Sequence, residues 1–180
     1  RRVPTYYQDL LDIIATNPGH VIGSTACLGG FLATKLLQYR NMPDSAKKDF
    51  YDRIKGWLKQ MEGIFGKEHF YLEMQPSSDQ EQIYVNQQII LLSEELDIPY
   101  IITTDSHYLK KEDAPIHKAF LNSQEGDREV DSFYATTYLM GTDEIEAYFT
   151  LYTDDYVLQK SYQNVLKIKD MCEDYSLKKE

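Results

Sequence analysis

Phe70-Tyr71-Leu72-Glu73-Met74 and Tyr100-Ile101-Ile102-Thr103 flank a helical stretch, and reading these three pieces together decides the fold. The first run is rich in β-forming side chains, and Pro76-Ser77 ends it. Ser78-Asp79-Gln80-Glu81 then reads as a capping box, with the Ser78 hydroxyl bonding the Glu81 amide and the Glu81 carboxylate reaching back. The helix that follows runs to Leu96, because Val85, Ile89, Leu92 and Leu96 recur at helical spacing along one face. Pro99 stands at the threshold of the second strand, where a missing N–H does least damage to a ladder. A strand, a helix and a strand in this order form a parallel, right-handed unit.

The same alternation extends outward. Tyr6 to Thr16 reads as a helix stopped by Asn17-Pro18-Gly19, and His20 to Ser24 as a short strand. A helix follows from Leu28 to Tyr39. Asp44-Ser45 caps a longer one whose stripe is Phe50, Ile54, Trp57 and Met61 and which stops near Gly63 or Gly66. Downstream, Asp113 to Asn122 reads as helical, Ser123 to Asp131 as a polar loop and Tyr138-Leu139-Met140 as a brief extended piece. Thr142, with Asp143 and Glu144, caps a helix through Phe149. The last helix, from Asp155, sets Leu158, Tyr162, Val165, Ile168 and Cys172 on one side, which makes Cys172 a packing residue. The chain is therefore expected to be α/β, with residues 1–180 forming one domain.

A chain of 180 residues that is 42% hydrophobic can bury a proper core. Its net charge of −10 opposes nucleic-acid phosphate, and no Lys/Arg stripe interleaved with aromatics is present. Two cysteines are too few for a disulfide framework, which fits a reducing, cytoplasmic setting. No apolar run is long enough to span a bilayer, so no membrane role is expected. Arg1-Arg2 is followed by Val-Pro-Thr-Tyr-Tyr and not by the apolar core of a signal sequence.

Three places could carry chemistry. In Thr104-Asp105-Ser106-His107-Tyr108, a carboxylate and an imidazole two apart in extended backbone would point to one side at a strand's C-terminal end. A helix-capping Asp beside a solvated His is the plainer alternative. In Ser24-Thr25-Ala26-Cys27-Leu28-Gly29-Gly30, a thiol lies between a strand end and a helix start. A helix N-terminus stabilises the thiolate, although an inert buried Cys is the plainer reading of this segment alone and no His or Asp is placed as an activating base. Glu73 should face opposite to Leu72 and Met74, either on a plain polar face or as a carboxylate in a barrel mouth. His20, His69 and His117 read as surface or capping residues.

In order along the chain, Val21 to Gly30, Phe70 to Gln75, Asp97 to Leu109 and Tyr138 to Met140 resemble the PHP (polymerase and histidinol phosphatase) domain of bacterial DNA polymerase III alpha subunits. The resemblance runs from about Val3 to Leu177. It implies the C-terminal part of a distorted, TIM-like β/α barrel whose N-terminal strands, with the family's His-x-His motif and the ligands after it, are absent. It implies Cys27, Asp105 and His107 as ligands of zinc or manganese, with Glu73 behind them orienting a ligand or a water. With at most three ligands here, metal binding by this piece is expected to be weak or nil, and no catalytic residue is assigned.

The resemblance further implies a parent enzyme that performs DNA-directed DNA synthesis with Mg, with a PHP domain that is either a 3′–5′ exonuclease or structural. The partners would be the remaining polymerase domains and replisome subunits, with DNA and dNTPs met through the parent and not through this chain. The rival readings are a free-standing phosphoesterase like histidinol phosphatase and a non-catalytic interaction module with an acidic face. An incomplete barrel should also expose strand edges and self-associate. All of this requires the thiol, the carboxylate and the imidazole to meet at the mouth of a parallel sheet.

Overall fold

The computed structural model describes residues 6–123, 133–174 and 176. Helix α1 (Tyr7–Thr16) leads into β1 (Gly23–Ser24), followed by α2 (Phe31–Arg40) and α3 (Asp44–Phe65). Then come β2 (Phe70–Met74), α4 (Gln80–Leu96) and β3 (Tyr100–Ile102), and after a single turn of 3-10 helix at Lys111–Asp113 the chain continues as α5 (Ala114–Asn122). The last helices are α6 (Thr142–Phe149) and α7 (Asp155–Met171). The expected polar loop from Ser123 to Asp131 falls almost entirely outside the described residues.

The three strands form one parallel sheet in the order β1-β2-β3, with Gly23 opposite Phe70 and Leu72 opposite Tyr100. The expected mixed α/β character holds, and β2-α4-β3 is the parallel unit read from the sequence. Among the described residues, however, the strands make a small open sheet under many helices and not a closed barrel. The first strand is two residues long instead of five: His20 is still tied to the preceding turn, its amide donating to the Asn17 carbonyl at 3.2 Å, and pairing with β2 begins only at Gly23, while just past the strand Ala26 takes a left-handed φ of 61°. Where a longer strand would offer a carbonyl, the Thr25 hydroxyl accepts the Glu73 amide at 2.9 Å.

Alternation along the strands sorts the two faces. Phe70, Leu72, Met74, Tyr100 and Ile102 enter the main core with Val85, Ile89 and Leu92 of α4, Ile54 and Leu58 of α3, and Leu32 and Leu36 of α2. Tyr71, Glu73 and Ile101 point the other way, and of these Tyr71 and Ile101 are still buried. The stripe of α3 sits slightly off the predicted one. Ile54, Leu58, Met61 and Ile64 are buried, whereas Phe50 and Trp57 lie at the margin of the core.

Two local predictions are corrected. The cap of α4 is Asp79, whose Oδ1 accepts the amides of Glu81 at 2.8 Å and Gln82 at 3.3 Å; Ser78 does not cap it. Cys172 lies just past the end of α7 and is exposed, so it is not part of the buried stripe expected there. The buried face of α7 is Leu158, Ser161 and Asn164. Its two polar members are there because β3 is an edge strand. The Ile102 amide donates to Ser161 Oγ at 2.7 Å, and Asn164 Nδ2 donates to the Tyr100 carbonyl at 2.8 Å. Side chains of α7 thus stand where a neighbouring strand would be, and this edge is covered.

A second polar cluster sits at the C-terminal end of β2. Asn86 is fully buried; its Oδ1 accepts the Gln75 amide at 3.2 Å and Gln82 Nε2 at 2.9 Å. Its Nδ2 donates to the Gln75 carbonyl and to the Tyr152 phenol oxygen, both at 2.8 Å. Burial pushes the Tyr152 phenol up to about 12 from the ordinary 10, only partly offset by the bond from Asn86. A raised phenol pKa means the fold holds the neutral form. The associated stability is complete below pH 10 and is lost as pH rises toward 12. Tyrosinate absorbance and circular dichroism should therefore show unfolding in that window, and Tyr152→Phe should move its midpoint upward. An unchanged midpoint in the variant would refute the assignment.

Candidate functional site

The loops that follow the three strands open at the C-terminal end of the sheet, where parallel α/β folds gather functional groups. The loop after β1 carries Cys27. Its carbonyl accepts the Gly30 amide at 2.7 Å and folds the segment tightly onto the start of α2. A Cβ on Gly30 would lie 2.7 Å from the Thr25 carbonyl oxygen, so only glycine fits there. The Cys27 thiol is free and partly exposed.

The loop after β3 carries Asp105 and His107, but not in the extended form that simple alternation assumed. Asp105 has a φ of 46°, in the left-handed region where non-glycine residues are strained. This turn, and not period-two alternation, brings the two side chains together, with His107 Nδ1 3.9 Å from Asp105 Oδ1. Nδ1 also lies 2.6 Å from the Asp105 carbonyl oxygen. A carbonyl can only accept, so Nδ1 carries the hydrogen and Nε2 keeps its lone pair. Asp105 Oδ2 is buried with no hydrogen-bond partner, an unsatisfied acceptor that calls for an explanation.

Glu73 projects from the face opposite Leu72 and Met74, as alternation predicts, and joins all three strand ends. It accepts from the Ser24 hydroxyl with one oxygen and from the Thr103 hydroxyl at 2.5 Å with the other. Both carboxylate oxygens are thereby occupied. Because the two hydroxyls can rotate to accept from an amide, Glu73→Gln should cost about 1 kcal/mol or less. Glu73→Leu should cost about 3 kcal/mol, since it removes two charge-assisted bonds. Urea denaturation of both variants checks the pair, and equal losses would refute the clamp.

The three expected ligands stand in loops at the same end of the sheet. Cys27 follows β1 and the Asp105–His107 pair follows β3, with β2 between them, and adjacent strands stand roughly 4.8 Å apart. Among the described residues, no group of three or more His, Cys, Asp or Glu side chains is gathered to hold a metal ion.

His117 is the residue that sequence reading missed. Instead of lying free on a helix surface, its ring sits 5.6 Å from that of His107 and 5.0 Å from that of Tyr134. Tyr134 is in turn 5.1 Å from His107. Burial, and secondarily the neighbouring His107, lower the His117 imidazole below its usual range. The cluster forms because the His107 amide donates to the Thr137 carbonyl at 2.7 Å and the Tyr108 hydroxyl to the Tyr134 carbonyl at 2.6 Å, docking the loop on residues 134–137. No sequence spacing announces such a contact. His20 is exposed just after the turn at residues 17–19, as expected, and His69 stands half-buried at the entrance of β2.

The chain is 37% identical over 183 residues to a probable DNA polymerase, YorL, of Bacillus subtilis and to a DNA-directed DNA polymerase of Bacillus phage SPbeta. It resembles a stretch of DNA polymerases. Each of those matches covers 99% of this chain and 14% of the relative. The DNA polymerase III subunit alpha of Borreliella burgdorferi is 28% identical over 162 residues, covering 87% of this chain and 13% of that protein. The chain therefore spans only about one seventh of the length of the curated relatives it matches. No family model matches it. Among the described residues, no helix is long and apolar enough to cross a membrane.

Proposed function

We propose that this chain is a piece of a DNA polymerase of the DNA polymerase III alpha class, cytoplasmic, and that it forms the C-terminal part of the PHP domain as a single unit. The observation that carries this reading is the match along 99% of the chain to two DNA polymerases, of which it makes up 14%. In this reading the parallel strands are one arc of a distorted β/α barrel, and the remaining polymerase domains and replisome subunits are its partners. Template-directed synthesis, with its Mg, belongs to those other parts.

The Asp105–His107 pair fits a zinc or manganese site in its donor chemistry. It offers a carboxylate oxygen without a partner and an imidazole whose Nε2 lone pair is free. Cys27, in the loop after β1 two strands away, is the third donor of this reading, and Glu73 steadies the strand ends behind them. A divalent metal in such a place supplies water activation toward a phosphodiester. The chain's own residues supply two neighbouring donors and a strained turn that holds them, which by themselves bind metal weakly.

Two measurements test the proposal. Reading the gene on both sides of this segment should reveal polymerase sequence, whereas a short open reading frame would favour a free-standing phosphoesterase. In calorimetric titration with Zn²⁺ or Mn²⁺, the chain should bind weakly, and Asp105→Asn with His107→Ala should abolish that binding. Stoichiometric zinc that survives dialysis would overturn the weak-site reading.

A further inference from the structure

A small cavity of about 20 Å³ lies just past the C-terminal end of β2, between the loop that leads into α4, the loop after β3 and the segment at residues 136–137. Gln75, Ser77, Asp79, Thr104, Thr136 and Thr137 line it, and all of these except Asp79 and Thr104 are buried. Gln75 is the odd member. Its backbone amide and carbonyl are both bonded to Asn86, yet its side-chain Nε2, in a residue only 6% exposed, has no hydrogen-bond partner among the described residues. A buried amide donor left bare costs free energy, and the remedy that folded proteins use is a resident water.

We propose that one water molecule resides in this cavity, held by Gln75 Nε2, and that it ties the end of β2 to the loop carrying Asp105 and His107. The volume suits a single water, since about 10–15 Å³ of such space is the least that admits one. The chemistry also selects water over an ion. The Gln75 donor calls for an acceptor, which argues against a cation, and the Asp79 carboxylate that caps α4 repels an anion. A water accepts from Nε2 and still has two hydrogens for the hydroxyl and carboxylate oxygens of the walls. Thr104 directly precedes Asp105, and Thr137 is the residue whose carbonyl accepts the His107 amide at 2.7 Å. The water is thus shared by the segments that set the turn at Asp105, and Gln75 is a positioning residue for that turn. This holds whether or not the chain is part of a polymerase.

Magnetisation transfer from water to the ¹⁵N-labelled whole chain tests this. The unaltered chain should show cross-peaks from water to the Gln75 side-chain amide protons, with the sign of a long-lived water and not of a surface one. Gln75→Met keeps the length of the side chain and removes the donor. In this variant, native-state hydrogen exchange at the His107 amide should quicken by about fivefold, the local equivalent of one lost hydrogen bond. The Ile102 amide, bonded instead to Ser161, should not follow it, whereas a general loss of stability would speed both alike. Circular dichroism verifies that the variant is folded; if it is not, the cross-peaks of the unaltered chain decide. Absent cross-peaks, cross-peaks with the sign of surface water, or equal acceleration at His107 and Ile102 would overturn the proposal. So would a saturable shift of the Gln75 side-chain amide resonances on adding sodium phosphate at constant pH, which would mark an ion in the cavity.

Discussion

Asn86→Leu should cost the fold more than about 4 kcal/mol at 25 °C, the larger part of its stability if the total lies at the low end of the usual range. The side chain is fully buried and serves four partners at once: the Gln75 amide and carbonyl, the Gln82 amide and the Tyr152 phenol. Leucine keeps the branching and the number of side-chain heavy atoms but offers none of these bonds. Each buried polar group left without a partner costs about 1–3 kcal/mol, so the total should exceed roughly 4 kcal/mol. A domain of this kind holds only about 5–15 kcal/mol in all. Asn86→Asp should also be severe, because it keeps the acceptor, loses both donor bonds and buries a charge. Urea melts followed by circular dichroism give the answer, and a loss below about 1 kcal/mol in the leucine variant would mean that the cluster does not hold β2 to α4.

The second large effect is expected where α7 covers β3. Ser161→Ala combined with Asn164→Leu strands the Ile102 amide and the Tyr100 carbonyl, both buried, for a combined loss of about 3–5 kcal/mol. A purely global effect would raise hydrogen exchange everywhere. The edge-covering role predicts more for Ser161→Ala alone, namely selective acceleration at the Ile102 amide. The double variant should also self-associate, since its unpaired strand edge becomes a template for another chain. Unchanged exchange at Ile102, together with a monomeric double variant by light scattering, would refute this role.

The same helix shows what was legible in the sequence. Its extent could be read because spacing marks a helix, and the identity of β2, α4 and β3 followed from β-forming runs around a stripe at helical spacing. Its buried face could not be read. An apolar stripe through Val165 and Cys172 was expected, but a strand edge needs hydrogen bonds, so Ser161 and Asn164 turn inward and Val165 stays largely exposed. The Ser78–Glu81 box failed for a similar local reason: Asp79, one residue later, reaches both amides with a single oxygen.

At the candidate site, Glu73 obeyed strand alternation because it lies inside a strand. Asp105 did not, because the strand ends at Ile102 and a left-handed residue follows. His117 was invisible because its partners, His107 and Tyr134, are brought to it by a loop docking and not by any repeat.

The covering of one edge by α7 gives the sheet a direction of assembly. The outward-facing groups of β3 are already bonded to side chains, so a strand arriving there would have to displace a helix. Among the described residues, no side-chain hydrogen bond like those from α7 reaches the backbone of Gly23 or Ser24. Any further strand would therefore have to join next to β1, since on the β3 side it would meet a seam of helix and not another rung of backbone pairing.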